Sequence, residues 1–582
     1  MKNYKKVYAA FILASGLILH GCNGIFDDLA INPNQPSMGA YFTSPSAVND
    51  AVMTMYGYMS TQRCLGASGS KTTIIRSDEA SSNSDYGKPG MFGADLNASY
   101  YTIEQPYTLM YTTASQASYI IETAPSVDFS GNEELRNAYM GEAYFWRAFA
   151  HYYLLINFRN ISPIRQMPRN GDDYVRPLEK PAAVWNFIQE DLAHAKELLP
   201  VKGYWGSKNA GRVTKASAAA LLGKAYLYRS GIEQYYGEDK TTFYSEAAKE
   251  FADIIDGKYG TYDLTKNYAD NFDVAHENNE ESILEFQFLG DVDNAGFNPG
   301  LATSGLAFDS RGLMLPGAGV GYEGVVHNWL YNAFVNSIDK DGYTDIRMFS
   351  TMIFNDLDAS IHLRNDAGGN PVRLEGPGGY KWEELYPAKN GKEGFATVSN
   401  PLAHPFKAGI RKGIDCSMPT QTEADGTPKL VGVGAGVKEY VYNQPRAHGV
   451  NWRYIRYADV LMMYAEAVVS GGAQASNMTP LQAVNKVRGR ANMSELPSVT
   501  MADIQNERIL EFALEGHRFY DLLRWGKLAS RFTELQESDP NFKKFISADD
   551  FKGFVTNKHE WLPIPINEVN SNPYITENNP GY

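Results

Sequence analysis

The sequence predicts a mainly α-helical protein: a tetratricopeptide-like scaffold of helical hairpins carrying a large loop-rich insertion with short strands and helices. Three observations carry that expectation. Apolar residues recur at helical spacing over 45–60, 107–122, 133–158, 182–199 and 456–491. Small residues fall where paired helices must approach closely. Leu222-Gly223 with Tyr226 matches the L-G-x-x-Y spacing of a tetratricopeptide first helix, and Ala247 with Phe251 matches the A-x3-F spacing of the second. Over 286–450, by contrast, Gly and Pro are dense and the helical periods are short and interrupted.

Composition sets the outer bounds. The 582 residues are 43% apolar and 21% charged, with 3 Cys, which is globular and excludes wholesale disorder and a disulfide-stapled mini-fold. The formal charge is −14 with no basic run, so a nucleic-acid phosphate partner works against the field. The 38 Tyr point to a wet, half-polar recognition surface.

The chain opens with Lys2, Lys5 and Lys6, then an apolar run from Val7 to Leu19. That run spans about 20 Å as a helix, short of the roughly 30 Å bilayer core, and reads as a secretory leader. It ends in Leu19-His20-Gly21-Cys22, similar to a bacterial lipobox, so residues 1–21 are expected to be a lipoprotein signal peptide and Cys22 the acylated residue. Residues 22–44 read as a lipidated N-terminus and tether, with Asn32-Pro33-Asn34-Gln35-Pro36 favouring extended chain.

Residues 45–285 form the expected N-terminal helical region. Its longest helix, 133–158, carries an apolar-aromatic stripe through Phe145, Trp146, Phe149 and Tyr152; Pro200 stops the next. Residues 232–243 look inserted relative to a 34-residue unit. Residues 286–450 form the expected loop-rich ligand-binding region, with strands at Ser282–Phe288 and Lys438–Tyr442 and a helix over Val325–Val335. Residues 451–582 are the C-terminal helical region and tail, where Tyr464-Ala465, Ala483 and Val487 mark a third, partial hairpin. Cys64 and Cys416 either pair or stay as buried thiols.

Several motifs are decoys. Gly319 to Gly324 matches G-x-G-x-x-G but follows Pro316-Gly317-Ala318 rather than a buried strand. Asp339-Lys340-Asp341-Gly342 and Asp291-Val292-Asp293-Asn294 resemble parts of calcium loops but lack the Glu at the twelfth position, and read as turns. No zinc-ligand spacing, nucleophile elbow or phosphate loop occurs, so neither a metal nor a cofactor is expected. A glycosidase acid pair is set in space, and spacing alone leaves it open. The densest constellation, Glu507, Arg508, Glu511, Glu515, His517, Arg518, Asp521 and Arg524, interleaves opposite charges and reads as a structural ion network. Thr500 with Asp503 marks the N-terminus of its helix and Gly516 a break.

The same residues carry a family likeness. The run Arg456 to Ala467 resembles the R-Y-A-E-x-L-L-x-Y-A-E-A element of SusD/RagB-family lipoproteins, and Glu507 to Gly526 resembles their E-R-x-x-E-x-x-x-E-G-x-R-x-x-D-L-x-R-W-G element. Glu280 to Leu284 and the tail from Leu562-Pro563-Ile564-Pro565 to Asn579-Pro580-Gly581-Tyr582 are similar to further family elements. The resemblance implies a SusD-like fold and a cell-surface lipoprotein of the outer membrane. Such a protein captures glycans, or in some relatives peptides, for a SusC-like TonB-dependent transporter and has no catalytic residues. A surface glycoside hydrolase is the enzymatic alternative.

A sugar ring offers an apolar face to an aromatic ring and a hydroxyl rim to Asp, Asn, Gln or Arg. Candidate contacts are therefore aromatics and polar residues in the loops. They are Asp78, Asn83, Tyr86, Phe92, Tyr100 and Tyr101; then Phe297, Phe308 and Tyr322; then Tyr380 and Trp382. Trp146, Trp185 and Trp525 lie on helical stripes and belong to the core.

Overall fold

Ser44 starts the first helix, α1 (Pro45–Ser60): its hydroxyl accepts the Ala47 N–H at 3.3 Å, with Pro45 at the first helical position. A short helix α2 (Ser68–Ile74) and the two-residue strand β1 (Ala80–Ser81) follow. Then come α3 (Tyr101–Thr123), α4 (Glu133–Phe158), α5 (Pro181–Leu198), α6 (Lys215–Tyr236) and α7 (Tyr244–Ile255). Each of α4 to α7 packs on the helix before it. The small-residue expectation has a direct cause. A Cβ on Gly223 would sit 2.7 Å from the Phe251 ring, so the glycine is the slot into which the α7 aromatic fits. Residues 232–236, read as part of an insertion, instead extend α6 to Tyr236.

The computed structural model describes residues 42–61, 63–66, 68–81, 92, 96–169, 171–288, 325–354, 356, 358–374, 408–412, 423–425, 429–432, 438–440, 450–539 and 553–582. Cys22, Cys416 and both the 291–294 and 319–324 motifs lie outside them. Phe42, inside the expected tether, is buried against Tyr119 with ring centroids 4.6 Å apart, so the chain is docked from that residue onward. Cys64 is a buried free thiol. Among the described residues no helix is long and apolar enough to cross a membrane.

Beyond α7 come β2 (Ser282–Phe286), β3 (Val325–Val326), α8 (Asn328–Val335), α9 (Met348–Thr351), β4 (Met352–Phe354), β5 (Ala408–Ile410), β6 (Leu430–Gly432), β7 (Lys438–Tyr440) and β8 (Trp452–Arg456). The helix expected over 325–335 begins only at Asn328, because Val325 and Val326 are taken by strand pairing. β2 and β8 pair antiparallel, Ser282 opposite Arg456 and Phe286 opposite Trp452, which brings both ends of the loop-rich stretch together on the scaffold. The stack then resumes: α10 (Tyr457–Val469) packs on α7, and α11 (Pro480–Arg490) packs on α10. The chain closes with α12 (Met501–Phe512), α13 (Arg518–Arg524), α14 (Leu528–Ser538) and α15 (Ile566–Ser571). Thr500 and Asp503 form a reciprocal capping box on α12, and Gly516 (φ +83°) breaks the chain before α13. Trp146, Trp185 and Trp525 are all buried.

The charge-dense run is an interior ion network. Arg347, Arg456, Arg488, Arg490 and Lys412 face Asp345, Glu507, Glu511, Glu281 and Glu515, so the charges balance one for one. A second set pairs Lys224, Arg508 and Arg524 with Asp459, Asp521 and Glu466. Burial by itself would raise the Glu511 carboxyl; Arg490, Arg456 and Arg347 hold it well below the usual range. The 339–342 turn is also internally neutralised: Asp339 accepts the N–H of Asp341 at 2.8 Å and of Tyr343 at 3.0 Å, and pairs with Arg364.

Glu511→Gln leaves the buried arginines one negative charge short. Unfolding in guanidinium should show a loss of about 3–5 kcal/mol. Removing the exposed Lys180, which meets Glu238 in solvent, should change stability by less than about 1 kcal/mol.

Candidate functional site

Each of the three aromatic-bearing segments singled out in the sequence is tied at one end to the same small sheet. β1, β3, β5 and β4 form a small antiparallel sheet in that order. Ser81, where residues 82–91 leave, pairs with Val325, where residues 289–324 re-enter. Val326 pairs with Ala408, where residues 375–407 re-enter. The strands are two or three residues long, so the attachment points lie within about 10 Å of one another.

Polar side chains bolt this sheet to the scaffold. The His327 main-chain N–H donates to the Glu79 carbonyl at 2.9 Å, and its Nδ1 donates to the Asp78 carbonyl at 2.7 Å. A carbonyl only accepts, so Nδ1 carries the proton and Nε2 takes the Ser81 hydroxyl. Burial lowers the imidazole pKa to about 4, which keeps it neutral. With Ser81 and His327 both buried, this pair is a strand clamp, not an exposed nucleophile and base. The Asp78 carboxylate accepts Arg518 Nε at 2.9 Å and Nη2 at 3.1 Å, and Arg531 Nε at 2.6 Å. The Arg531 guanidinium lies 4.3 Å from the Trp329 ring centre. Beside it, Glu79 accepts the Leu514 N–H at 3.1 Å.

These positions correct two expectations. Asp78 is completely buried and its oxygens are filled by Arg518 and Arg531, so it anchors the stem instead of meeting a ligand. Phe92 is buried against Phe532 and Phe554 and stacks on His559 at 5.0 Å, so it is core. Tyr101 is exposed and stacks on half-buried Tyr100, 5.1 Å between centroids and 28° between planes. Asn83, Tyr86, Phe297, Phe308, Tyr322, Tyr380 and Trp382 lie outside the described residues. Sequence reasoning missed His327, Trp329 and Arg531 as the stem's bolts; Asp78 and Arg531 are 453 positions apart, and no local spacing marks such a pair.

Two concave spaces stand out. One, of about 370 Å3, lies between α3 and the C-terminal tail, with Glu104, Thr108, Tyr111 and Thr112 on one wall and Asn567 and Glu568 on the other. Another, of about 320 Å3, lies beside Trp205. The polar groups along it are largely committed internally: Trp205 Nε1 donates to the Val213 carbonyl, Arg212 to Glu142, and Asn278 to Glu285 and Gln287. Among the described residues no group of three or more His, Cys, Asp or Glu side chains is placed to hold a metal ion.

Burial, then the neighbouring Asp78 charge, raises the Glu79 carboxyl to about 8. The folded chain thus keeps a proton that the unfolded chain loses near pH 4.3. This group's contribution to stability is full below that pH and falls as pH rises towards 8. Glu79→Gln should therefore melt with wild type at pH 4 and above it at pH 8. A difference that is constant across that range contradicts the assignment.

Comparison with known proteins gives these features a context. A family model described as "SusD family" matches residues 429–582, and one described as "Starch-binding associating with outer membrane" matches residues 31–227. A SusD-like protein from Bacteroides ovatus is 25% identical over 533 residues, which cover 90% of this chain and 83% of that one. A SusD superfamily protein from Bacteroides vulgatus shares the fold with a TM-score of 0.67 at 23% identity, over 93% of this chain and 100% of that one. Surface glycan-binding protein A from Bacteroides thetaiotaomicron, solved in complex with laminarihexaose, shares it with a TM-score of 0.65 at 18% identity, over 92% and 100%. The two matched stretches hold the first hairpins, the ion network's C-terminal members and the tail, and the chain belongs to the SusD/RagB family.

Proposed function

We propose that this protein is a non-catalytic surface receptor for glycans. Its site is built from residues 82–91, 289–324 and 375–407, and Cys22 holds it by acylation at the outer membrane. It passes its cargo to a SusC-like TonB-dependent transporter. The observation that carries this reading is that one end of each of those three segments is tied to the same bolted sheet. In sequence those segments carry Tyr86, Phe297, Phe308, Tyr322, Tyr380 and Trp382, together with Asn83. Such a set supplies ring faces for stacking and amide groups for hydroxyls. The laminarihexaose complex of a protein with the same fold supports a glycan as the cargo class.

The absence of turnover is part of the proposal. The carboxylates gathered in the described interior are locked to arginines and lysines, and Glu79 is sealed inside the stem. A shallow stacking site also releases cargo quickly, as delivery to a transporter requires.

Affinity electrophoresis of the full chain in gels containing laminarin, starch, xylan or galactomannan tests this. At least one neutral polysaccharide should retard the protein without releasing reducing ends. Trp382→Ala should weaken that interaction about 2–10-fold, the range expected for losing one stacking ring. Release of reducing ends, or binding to peptides alone, contradicts the proposal.

A further inference from the structure

Resting on the glycan-binding reading, we infer that the groove between α3 and the C-terminal tail is a second subsite for a neutral sugar chain. It shares no lining residue with the sheet that roots the loop segments.

The argument starts at the surface. Tyr101 is 36% exposed and its ring stacks on that of half-buried Tyr100 at 28°, which puts part of an aromatic platform at the surface. Tyr101, Glu104, Thr108, Thr112 and Ser115 recur every three or four residues, so they form one stripe along α3. The platform therefore runs on into the groove as a single track. Ile566, also exposed, borders its start, because its N–H donates to the Ala98 carbonyl at 2.8 Å.

The opposite wall is the tail whose repeated Asn-Pro pattern stands out in the sequence. Asparagines pin it. Asn579 Nδ2 donates to the Phe158 and Leu562 carbonyls, both at 2.7 Å, and Asn572 Nδ2 donates to the Arg176 carbonyl at 2.9 Å. The Asn578 side chain pairs both ways with the Ile564 backbone. At the mouth, Asn567 donates across the groove to Glu104. A ligand meeting such a wall has little ordering cost to overcome.

The lining selects the ligand. The Thr112, Ser115 and Ser162 hydroxyls donate to the Thr108, Tyr111 and Arg176 carbonyls, which leaves their oxygen lone pairs to accept from a sugar's hydroxyl rim, and Thr108 adds a further hydroxyl. Glu104, Asp173 and Glu568 outnumber Arg176, a surplus that repels uronate and sulfate groups. The volume of about 370 Å3 falls in the roughly 300–1,000 Å3 range of small-ligand clefts.

The test uses the full chain and a neutral polysaccharide that retards it, with the matching oligosaccharide. Wild type, Tyr101→Ala, Thr112→Trp and Trp382→Ala are compared by calorimetry and by hydrogen exchange. Tyr101 and Thr112 are exposed, so neither change should unfold the protein. Wild type should bind two oligosaccharides per chain, with exchange slowed over residues 104–115 and 565–571. Thr112→Trp should bind one, and Tyr101→Ala should weaken one of the two sites about tenfold. In Trp382→Ala the slowed exchange over those segments should persist. One site in wild type, untouched by Thr112→Trp, overturns the second subsite and leaves the loop site standing. Slowed exchange there with a polygalacturonate or a peptide, but not with the neutral sugar, overturns the ligand assignment. Failure of every neutral polysaccharide to bind wild type overturns the glycan reading and the subsite with it.

Discussion

The ion network around Arg456 and Glu511 is the constraint on which the rest of the fold depends. Most of its members are buried charged side chains, a costly arrangement that holds only when every partner is in place. Those partners come from distant parts of the chain. Glu281 precedes β2, Asp345 and Arg347 belong to the insertion, Lys412 follows β5, and the rest lie between β8 and α13. Helical stack, insertion and C-terminal region are therefore assembled together or not at all. The balance of charge explains why so many acids and bases fit inside.

The network also fixes the small sheet to which the loop segments are tied. Lys412 sits two residues beyond β5, and Arg347 stands just ahead of β4, so the sheet that roots the loop segments is held at both strands by scaffold carboxylates. Asp78, gripped by Arg518 and Arg531, holds the third strand in the same way. A stem fixed this firmly lets the segments it carries differ in sequence without disturbing the core.

The helices were legible because their signal is local. Periodic apolar residues, the Thr500–Asp503 capping box and the Gly223 slot for Phe251 each lie within one or two elements. The ion network was legible as a kind of chemistry, from its interleaved charges, but not as a set of partners. The stem was hidden. Its strands are too short to show alternation, and Asp78 sits next to a Ser- and Asn-rich stretch that reads as exposed loop, while the arginines that bury it lie more than four hundred positions away. Phe92 was misjudged for the same reason, since its partners Phe532, Phe554 and His559 come from the far end of the chain. The α3 groove has walls from residues 104–115 and 565–571, and no spacing rule connects them.

The central claim is that a fixed stem presents loop aromatics to a sugar that is held and then released intact. The most direct measurement is a crystal structure of the chain with a bound oligosaccharide. The account predicts an uncleaved sugar stacked on side chains from at least two of residues 82–91, 289–324 and 375–407. A sugar seated without contact to any of them, or found cleaved, would contradict it.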